Sequence, residues 1–414
     1  MREKKARFHK WADKKLKTDT SYLLSGGLWL GINRSAAVIS GIALSIAFAN
    51  LLPKDVFGTY QFILSLASIC GAFTFTGMRI VVKRAAARGN ENALAEGFRT
   101  HLKWSIGIAL TAFAGALYYF VNENNTLAVS LLIVGSLAPF RESFRLYSSF
   151  LSGRGEFKKL VTLGFFRKIL PTASLLLVLL VTDNPVLLVL TYFVSNTIAV
   201  GSIYLKVRRA YHGDEPLEKT ALQYGKHISA IQILGMIAGN IDKILVFHYL
   251  GAAQLAIYAF ALLLPRHLRS FHQILNPLVF RKVSTMSIPA LKRAMPHKAK
   301  LVFIGSIIIA SAYIVTAPFI YGLLFPQYTD AVLFSQVLAL GILFSPAALY
   351  KPVFGAHLKT RQSYAMQTIV PMIRITSFAL LIPFFGLWGA IAALLVTQAV
   401  NFFLSFFLFR RLKE

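Results

Sequence analysis

The sequence is poor in acid and almost free of cysteine. Only 16 Asp and Glu stand against 44 Lys and Arg, a formal charge of +28 over 414 residues. Cys70 is the only cysteine and lies inside an apolar run, so an intrachain disulfide and a cysteine-type metal site are both excluded. No glycine-rich nucleotide loop is present, which removes ATP as a direct energy source. No metal-ligand cluster stands out either, and His248, His267 and His272 read as interfacial or packed side chains. No metal and no cofactor are expected. The start, REKKARFHKWADKKLKTDT, is too charged for a signal peptide, and the apolar segment after it is too long for a signal core.

Apolar residues are in excess. They make up 56% of the chain, with a mean hydropathy of +0.61, whereas a soluble domain uses about 45–50% even when glycine is counted. Long apolar runs recur from end to end with charged clusters between them, the pattern of a polytopic membrane protein. That setting also explains the basic excess. Positive residues collect in cytoplasmic loops as a topology signal, so nucleic acid is not an expected partner.

About twelve apolar segments are discernible, at 22–51, 56–78, 104–121, 127–151, 160–182, 185–205, 226–250, 252–276, 300–322, 330–350, 363–384 and 387–409. Each is near the roughly 20 residues that a bilayer core requires. The connecting loops alternate in charge. RIVVKRAAARG, GRGEFKK, KVRRAYHG, RKVSTMSIPALKRAMPHKAK, HLKTRQS and the tail RRLKE carry the basic residues. VNENNT, TDNP, LGAAQ, FPQYTD and FFGLW carry none, and LLPKDVFG has one Lys beside one Asp. Both termini are therefore expected in the cytoplasm. The outward loops are too short to hold an extracellular catalytic domain.

A constant shift of 198 residues lays part of the first half on the second without a gap over roughly thirty residues. Gly58-Thr59-Tyr60-Gln61-Phe62 falls on Ala256-Ile257-Tyr258-Ala259-Phe260, and Val81, Lys83 and Arg84 fall on Val279, Arg281 and Lys282. An even number of spans per half makes the halves parallel repeats. Parallel six-helix bundles around a central cavity form a recurrent transporter plan. The expected fold is an all-α integral membrane protein whose two bundles surround a cationic cavity. Its expected parts are a basic cytoplasmic segment (1–19), a first bundle (20–205), a cytoplasmic linker (206–219), a second bundle (220–409) and a basic tail (410–414).

Charges also sit where hydrocarbon is expected: Arg34, Arg141, Glu142, Arg145, Arg167, Lys168, Asp242, Lys243, Arg266, Arg269 and Arg374. Each charge near mid-membrane costs on the order of 2.5–3.5 kcal/mol, so six or seven such arginines facing lipid would cost on the order of 15–20 kcal/mol. They must face one another, a counter-charge or water. Arg141 and Arg145 are four residues apart and share a helical face that Ser148 and Ser152 extend. Glu142 precedes Arg145 by three and can pair with it. Arg34 shares a stripe with Gly27, Gly31, Gly41 and Ser45. Arg374 lies near the middle of its span.

Arg34, Arg141, Arg145 and Arg374 are too deep to reach water easily and are expected to line a cavity. Arg167 and Lys168 can snorkel to the interface. Arg266 and Arg269, which follow Pro265, fit either the cavity or the inner end of a bent eighth helix. Asp242 and Lys243 fit either the cavity or a local ion pair near the outer surface. The sign is the informative part, since only Glu142 and Asp242 among the acids fall inside spans. A net positive cavity attracts an anion, and the planar guanidinium suits phosphate oxygens. The implied activity is transport of an anionic, phosphate-bearing cargo.

Several stretches carry a family likeness: ANLLPKDVFGTYQFILSLAS with VVKRAAARGN, NIDKILVFHYLGAAQLAIYAFALLLP, YGLLFPQYTDA and GLWGAIAALLVTQ. Together, and in this order, they resemble the Wzx-type oligosaccharide flippases (O-antigen and polysaccharide repeat units) of the multidrug/oligosaccharidyl-lipid/polysaccharide (MOP) exporter superfamily. The resemblance implies two six-helix bundles forming a V-shaped cavity in the bacterial inner membrane. It implies a polyprenyl-diphosphate-linked oligosaccharide as cargo, moved from the cytoplasmic to the periplasmic leaflet. It further implies the lipid bilayer, a proton or sodium counter-ion and other polysaccharide assembly proteins as partners. Substrate-binding character falls on Arg34, Arg141, Arg145, Arg374, Arg266 and Arg269, and ion coupling on Glu142 and Asp242.

The competing readings fit less well. A drug or cation antiporter of the related MATE branch should display unpaired carboxylates, and the lipid II flippase branch usually carries two further spans. A membrane glycosyltransferase or polymerase needs an outward catalytic surface, which VNENNT and TDNP do not supply. The topology has a direct check. With Cys70 replaced, a cysteine placed at Asn122 is expected to react with an impermeant maleimide from the outer face, and one at Gly213 only after the membrane is opened. The reverse labelling would invert the assignment.

Overall fold

The computed structural model describes residues 38–412, with side chains left out of account between 270 and 282. Residues 1–37 and 413–414, and with them Arg34, Gly27, Gly31 and the basic N-terminal segment, lie outside the described residues. Everything described is helical or connecting. The helices are α1 (Val38–Leu51), α2 (Lys54–Cys70), α3 (Met78–Ala87), α4 (Ala93–Trp104), α5 (Ile106–Val121), α6 (Asn125–Phe144), α7 (Leu146–Gly153), α8 (Phe157–Leu179), α9 (Pro185–Ala210), α10 (Lys219–Leu250), α11 (Ala252–Ser284), α12 (Ile288–Leu324), α13 (Ala331–Ala339), α14 (Ala347–Ala356) and α15 (Thr360–Arg410).

The polar loops set the helix ends. Asn124 and Asn184 each cap a helix, accepting from the Leu127 amide at 3.1 Å and the Val186 amide at 2.9 Å. Pro185 then occupies the first turn of α9, where its missing N–H costs nothing. The long α15 is two helices in one. Gly386, with φ 55°, breaks it, and the Leu381 carbonyl oxygen lies 2.0 Å from where a Cβ on Gly389 would stand. Eight residues of straight helix would span about 12 Å. The chain therefore doubles back at FFGLW, between the two last apolar segments seen in the sequence.

Among the described residues, seven helices or helix runs are long and apolar enough to cross a membrane, and the bent pair formed by 331–344 and α14 makes an eighth. The chain is a multi-pass membrane protein. The expected count of about twelve is not reached by length and composition alone. α1 is described over only part of its segment, α2 is 17 residues long, α11 is rich in basic residues, and α15 counts once although it reverses.

Packing differs between the two ends. At the end that the charge pattern assigns to the outside, one large buried cluster draws on both halves of the sequence. Phe62 stacks on Phe247 with centroids 3.8 Å apart, Phe57 meets Phe260 at 5.0 Å, and Phe260 meets Tyr328 at 3.9 Å. Tyr60 and Tyr258, equivalent under the 198-residue shift, are both fully buried there. Lys54 reaches Asp330 at 3.0 Å across the same seam. At the basic end the buried residues form two separate clusters, one between Phe75 and Leu217 and one between Val283 and Leu412. The halves thus share one core on one side, while on the other their buried clusters are separate and the start of α10 leans on the first half.

The linker does not span freely between them. Its Leu217 is buried among first-half residues, and its Glu215 carbonyl accepts from Asn90 at 3.3 Å and Asn92 at 3.2 Å. α10 then runs antiparallel along α2. Gly77 and Gly225 meet so closely that a Cβ on Gly77 would lie 2.0 Å from the Gly225 carbonyl oxygen. The Gly77 amide donates to Ser229 Oγ at 2.9 Å. Gly77→Ala is expected to destabilise the protein by about 1–3 kcal/mol through overpacking, read as a lower melting temperature in detergent. Gly305→Ala, where nothing lies within 4 Å, is expected to be neutral or stabilising. Equal behaviour of the two variants would contradict the close contact.

Candidate functional site

α2 stops at Cys70 and the helix does not resume until Met78. The intervening GAFTFTG is unwound, and Thr76 Oγ1 is buried there without a partner. Irregular backbone at membrane depth is tolerated where it lines a cavity or packs against protein. The break turns α3 so that Met78, Val81 and Val82 are buried while Arg79 points away from them. α6 brings Arg141, Glu142 and Arg145 to the same place. Its inner end is braced from behind by His101 Nδ1, 2.9 Å from Ser143 Oγ.

Glu142 is the hub. Its carboxylate accepts from Arg79 Nη2 at 2.7 Å, Arg141 Nη2 at 2.8 Å and Arg145 Nη1 at 2.9 Å. One negative charge thus faces three positive ones, and the group keeps a positive excess. Arg141 is the most enclosed of the three, with its guanidinium 4.7 Å from the Phe193 ring centroid and its Nε buried without a partner. The Arg79 and Arg145 side chains are 48% and 38% exposed, so both keep donors free. A cavity of about 470 Å³ opens beside them, lined also by Ser68, Thr76, Tyr192 and Gln232.

A second acid forms a second hub. Asp242 is completely buried on α10. Its Oδ2 accepts from Tyr258 Oη at 3.1 Å and Arg374 Nη2 at 3.3 Å, with Arg266 Nη2 at 3.8 Å. Oδ1 has no partner, and neither has the buried Arg374 Nε. Arg269 lies on the same helix as Arg266, and its Nη1 is 2.9 Å from the Gln398 amide oxygen when that amide is turned to satisfy Gly341. Lys243 does not pair with Asp242, contrary to the local ion pair weighed above. Its Nζ reaches Gln61 Oε1 at 3.3 Å instead, because successive helical residues point about 100° apart. Lys243 and Arg266 line a cavity of about 200 Å³ with Gln61 and Phe57.

The structure therefore gathers Arg141, Glu142 and Arg145 in one group and Arg266, Arg374 and Asp242 in another. Met236, which lines the first cavity, and Asp242 are six residues apart on α10, about 9 Å of helix rise. Arg34 lies outside the described residues. Arg79 was missed because RIVVKRAAARG reads as a cytoplasmic loop. The signal was the Gly- and Thr-rich interruption before it, a mark of unwound cavity-lining backbone. Tyr258 was seen as part of the repeat but not as the partner of Asp242.

The family model for polysaccharide biosynthesis proteins matches residues 47–292. No curated protein matches the chain at a significant level. Among solved structures, the lipid II flippase MurJ in its inward closed conformation is similar with a TM-score of 0.69 at 15% identity, over 92% of this chain and 87% of that one. An outward-facing multidrug resistance MATE family transporter of the MOP superfamily gives 0.64 at 14% identity, over 94% of each chain. A MOP superfamily transporter from Pyrococcus furiosus gives 0.63 at 14% identity, again over 94% of each. The fold is that of the MOP superfamily transporters, as the resemblance in the sequence implied.

The pairing has a measurable consequence. Glu142→Gln leaves three guanidiniums without the negative charge they share. It should destabilise the protein by roughly 1–3 kcal/mol, less than a fully buried pair because Arg79 and Arg145 reach water. Adding Arg79→Gln should recover part of that loss. Thermal unfolding in detergent reads both, and a double variant less stable than the single one would contradict the hub.

Proposed function

This chain belongs to the polysaccharide biosynthesis protein family, and we propose that it is a flippase for a polyprenyl-diphosphate-linked oligosaccharide repeat unit. The cargo moves from the cytoplasmic to the periplasmic leaflet of the bacterial inner membrane, both chain termini lying in the cytoplasm. The protein is read as a transporter and not as an enzyme. The observation that carries the reading is the Glu142 group: three arginines converge on a single carboxylate beside a cavity at membrane depth.

A diphosphate offers what that group lacks. Its oxygens can take the free donors of Arg79 and Arg145 bidentately, as carboxylates and phosphates both do with guanidinium. The sugars occupy the wet space between the halves, here the first bundle (20–205) and the second (220–409). The aromatic seam of Phe57, Phe62, Phe247 and Phe260 closes the outer end, so the cargo enters from the inner side. Rocking the halves opens that seam and joins the inner ends. Arg266, Arg269 and Arg374 form the second anion station, and Arg34 is assigned to the same cavity from the sequence.

Glu142 and Asp242 are the proposed coupling groups for a proton or sodium gradient. Each is held by arginines that the cargo competes for, so cargo arrival and carboxylate charging exchange the same partners. A MATE-like antiporter for cationic drugs is the alternative. It is disfavoured because both carboxylates face guanidinium groups, which repel a cation.

Arg145→Ala is expected to lower surface glycan export about 10- to 100-fold, the worth of one or two charge-assisted hydrogen bonds, with the protein still inserted and folded. Export at the unmodified rate would refute the anion-cavity reading.

A further inference from the structure

The unwound segment between α2 and α3 has two sides. One faces the Glu142 cavity through Thr76 and, just beyond, Arg79. The other lines a separate groove of about 550 Å³ with Phe73 and Phe75, closed by Trp104 and Ile106 and by Ala230 and Ile233 of α10. This second surface is largely apolar, and the exposed Trp104 and Ile106 open it to the surroundings. Thr74 lines both concavities. Only a short length of unwound chain separates an apolar slot from a cationic chamber.

The polar groups of the groove are placed at one end. Lys103 and Lys226 stand where the apolar segments 104–121 and 226–250 begin, on the side that the charge pattern assigns to the cytoplasm. Lys226 Nζ lies 5.3 Å from the Trp104 ring centroid. Tryptophan and lysine together mark a membrane–water interface. The groove is therefore an oily slot in the inner-leaflet half of the protein with two ammonium groups at its rim. Its chemistry fits a hydrocarbon chain joined to a phosphate.

We propose that this groove receives the proximal isoprenoid units of the diphosphate-bearing lipid whose head enters the Glu142 cavity; the inference rests on the flippase reading above. Two observations favour that occupant over a membrane phospholipid. The groove and the arginine cavity share Thr74 in their walls, so one molecule bent over that short segment can place its chain in the slot and its diphosphate at Arg79 and Arg145. The chain itself is excluded from the chamber, where it would displace water from three guanidiniums. The rest of the chain stays in the bilayer.

The test uses the full-length protein in detergent and three probes: a long-chain polyprenyl diphosphate, inorganic diphosphate and phosphatidylglycerol. Ala230→Trp fills the groove, and Ile233→Gln makes it polar without filling it, which covers a failure of the first variant to fold. Each is expected to weaken the long-chain probe by about tenfold, the worth of roughly two buried methylenes, while binding of inorganic diphosphate is unchanged. Arg145→Ala is expected to weaken both diphosphates. If the groove variants leave the long-chain probe unaffected while Arg145→Ala still weakens it, the groove assignment is overturned and the flippase reading stands. If phosphatidylglycerol displaces the long-chain probe at equal concentration, the groove is a site for bulk lipid and the proposal is overturned. If Arg145→Ala changes neither diphosphate, the flippase reading falls and takes the groove with it.

Discussion

A guanidinium cannot be left in hydrocarbon, and that constraint organises this protein. Each deep arginine must find an acceptor or water, yet among the described helices few acids are available to meet them. Glu142 serves three arginines and Asp242 serves two, with Tyr258 as a further donor. A carboxylate shared in this way holds the arginines in place without neutralising them. The remaining charge is what an anionic ligand would meet. An arrangement of matched pairs would have been as easy to insert in the membrane and useless for drawing in phosphate.

The scaffold around these hubs buries the carboxylates and leaves Arg79 and Arg145 partly exposed beside a cavity. The break at GAFTFTG swings Arg79 inward, and Ser229 on α10 takes up a backbone amide freed by the break. α10 is the shared wall. Gln232 and Met236 face the Glu142 cavity, while Asp242 two turns on holds Arg374. The aromatic seam at the other end of α2 joins the halves through ring contacts, which have no strong directional requirement and can part as a unit. Strong ionic contacts at the centre and soft apolar ones at the closure suit a molecule that opens at its ends around a fixed site.

Much of this was legible in the sequence because hydrocarbon is so intolerant of charge. The 3.6-residue period put Arg141, Glu142 and Arg145 within reach of each other, and Glu142 does bind Arg145. The lengths of the apolar segments 363–384 and 387–409 pointed to the reversal at FFGLW, where Gly386 breaks the helix. Long-range partners were not legible. Nothing local links Arg79 to Glu142, 63 residues later, or Asp242 to Arg374, 132 residues later. Lys243 misled for the opposite reason: it adjoins Asp242 in sequence, but the helix points it at Gln61. The unwound segment was hidden inside an apolar run whose composition suits a continuous span. Its glycines and threonines were the only sign that the helix stops there.

The central claim is that the chamber beside Glu142 recognises phosphate charge rather than lipid or sugar. The most direct measurement compares binding of a polyprenyl diphosphate with the matching polyprenyl alcohol to the purified full-length protein across a series of salt concentrations. The account predicts much tighter binding of the diphosphate, a steep loss of that advantage as salt rises, and little salt dependence for the alcohol. Equal affinities for the two at every salt concentration would contradict it.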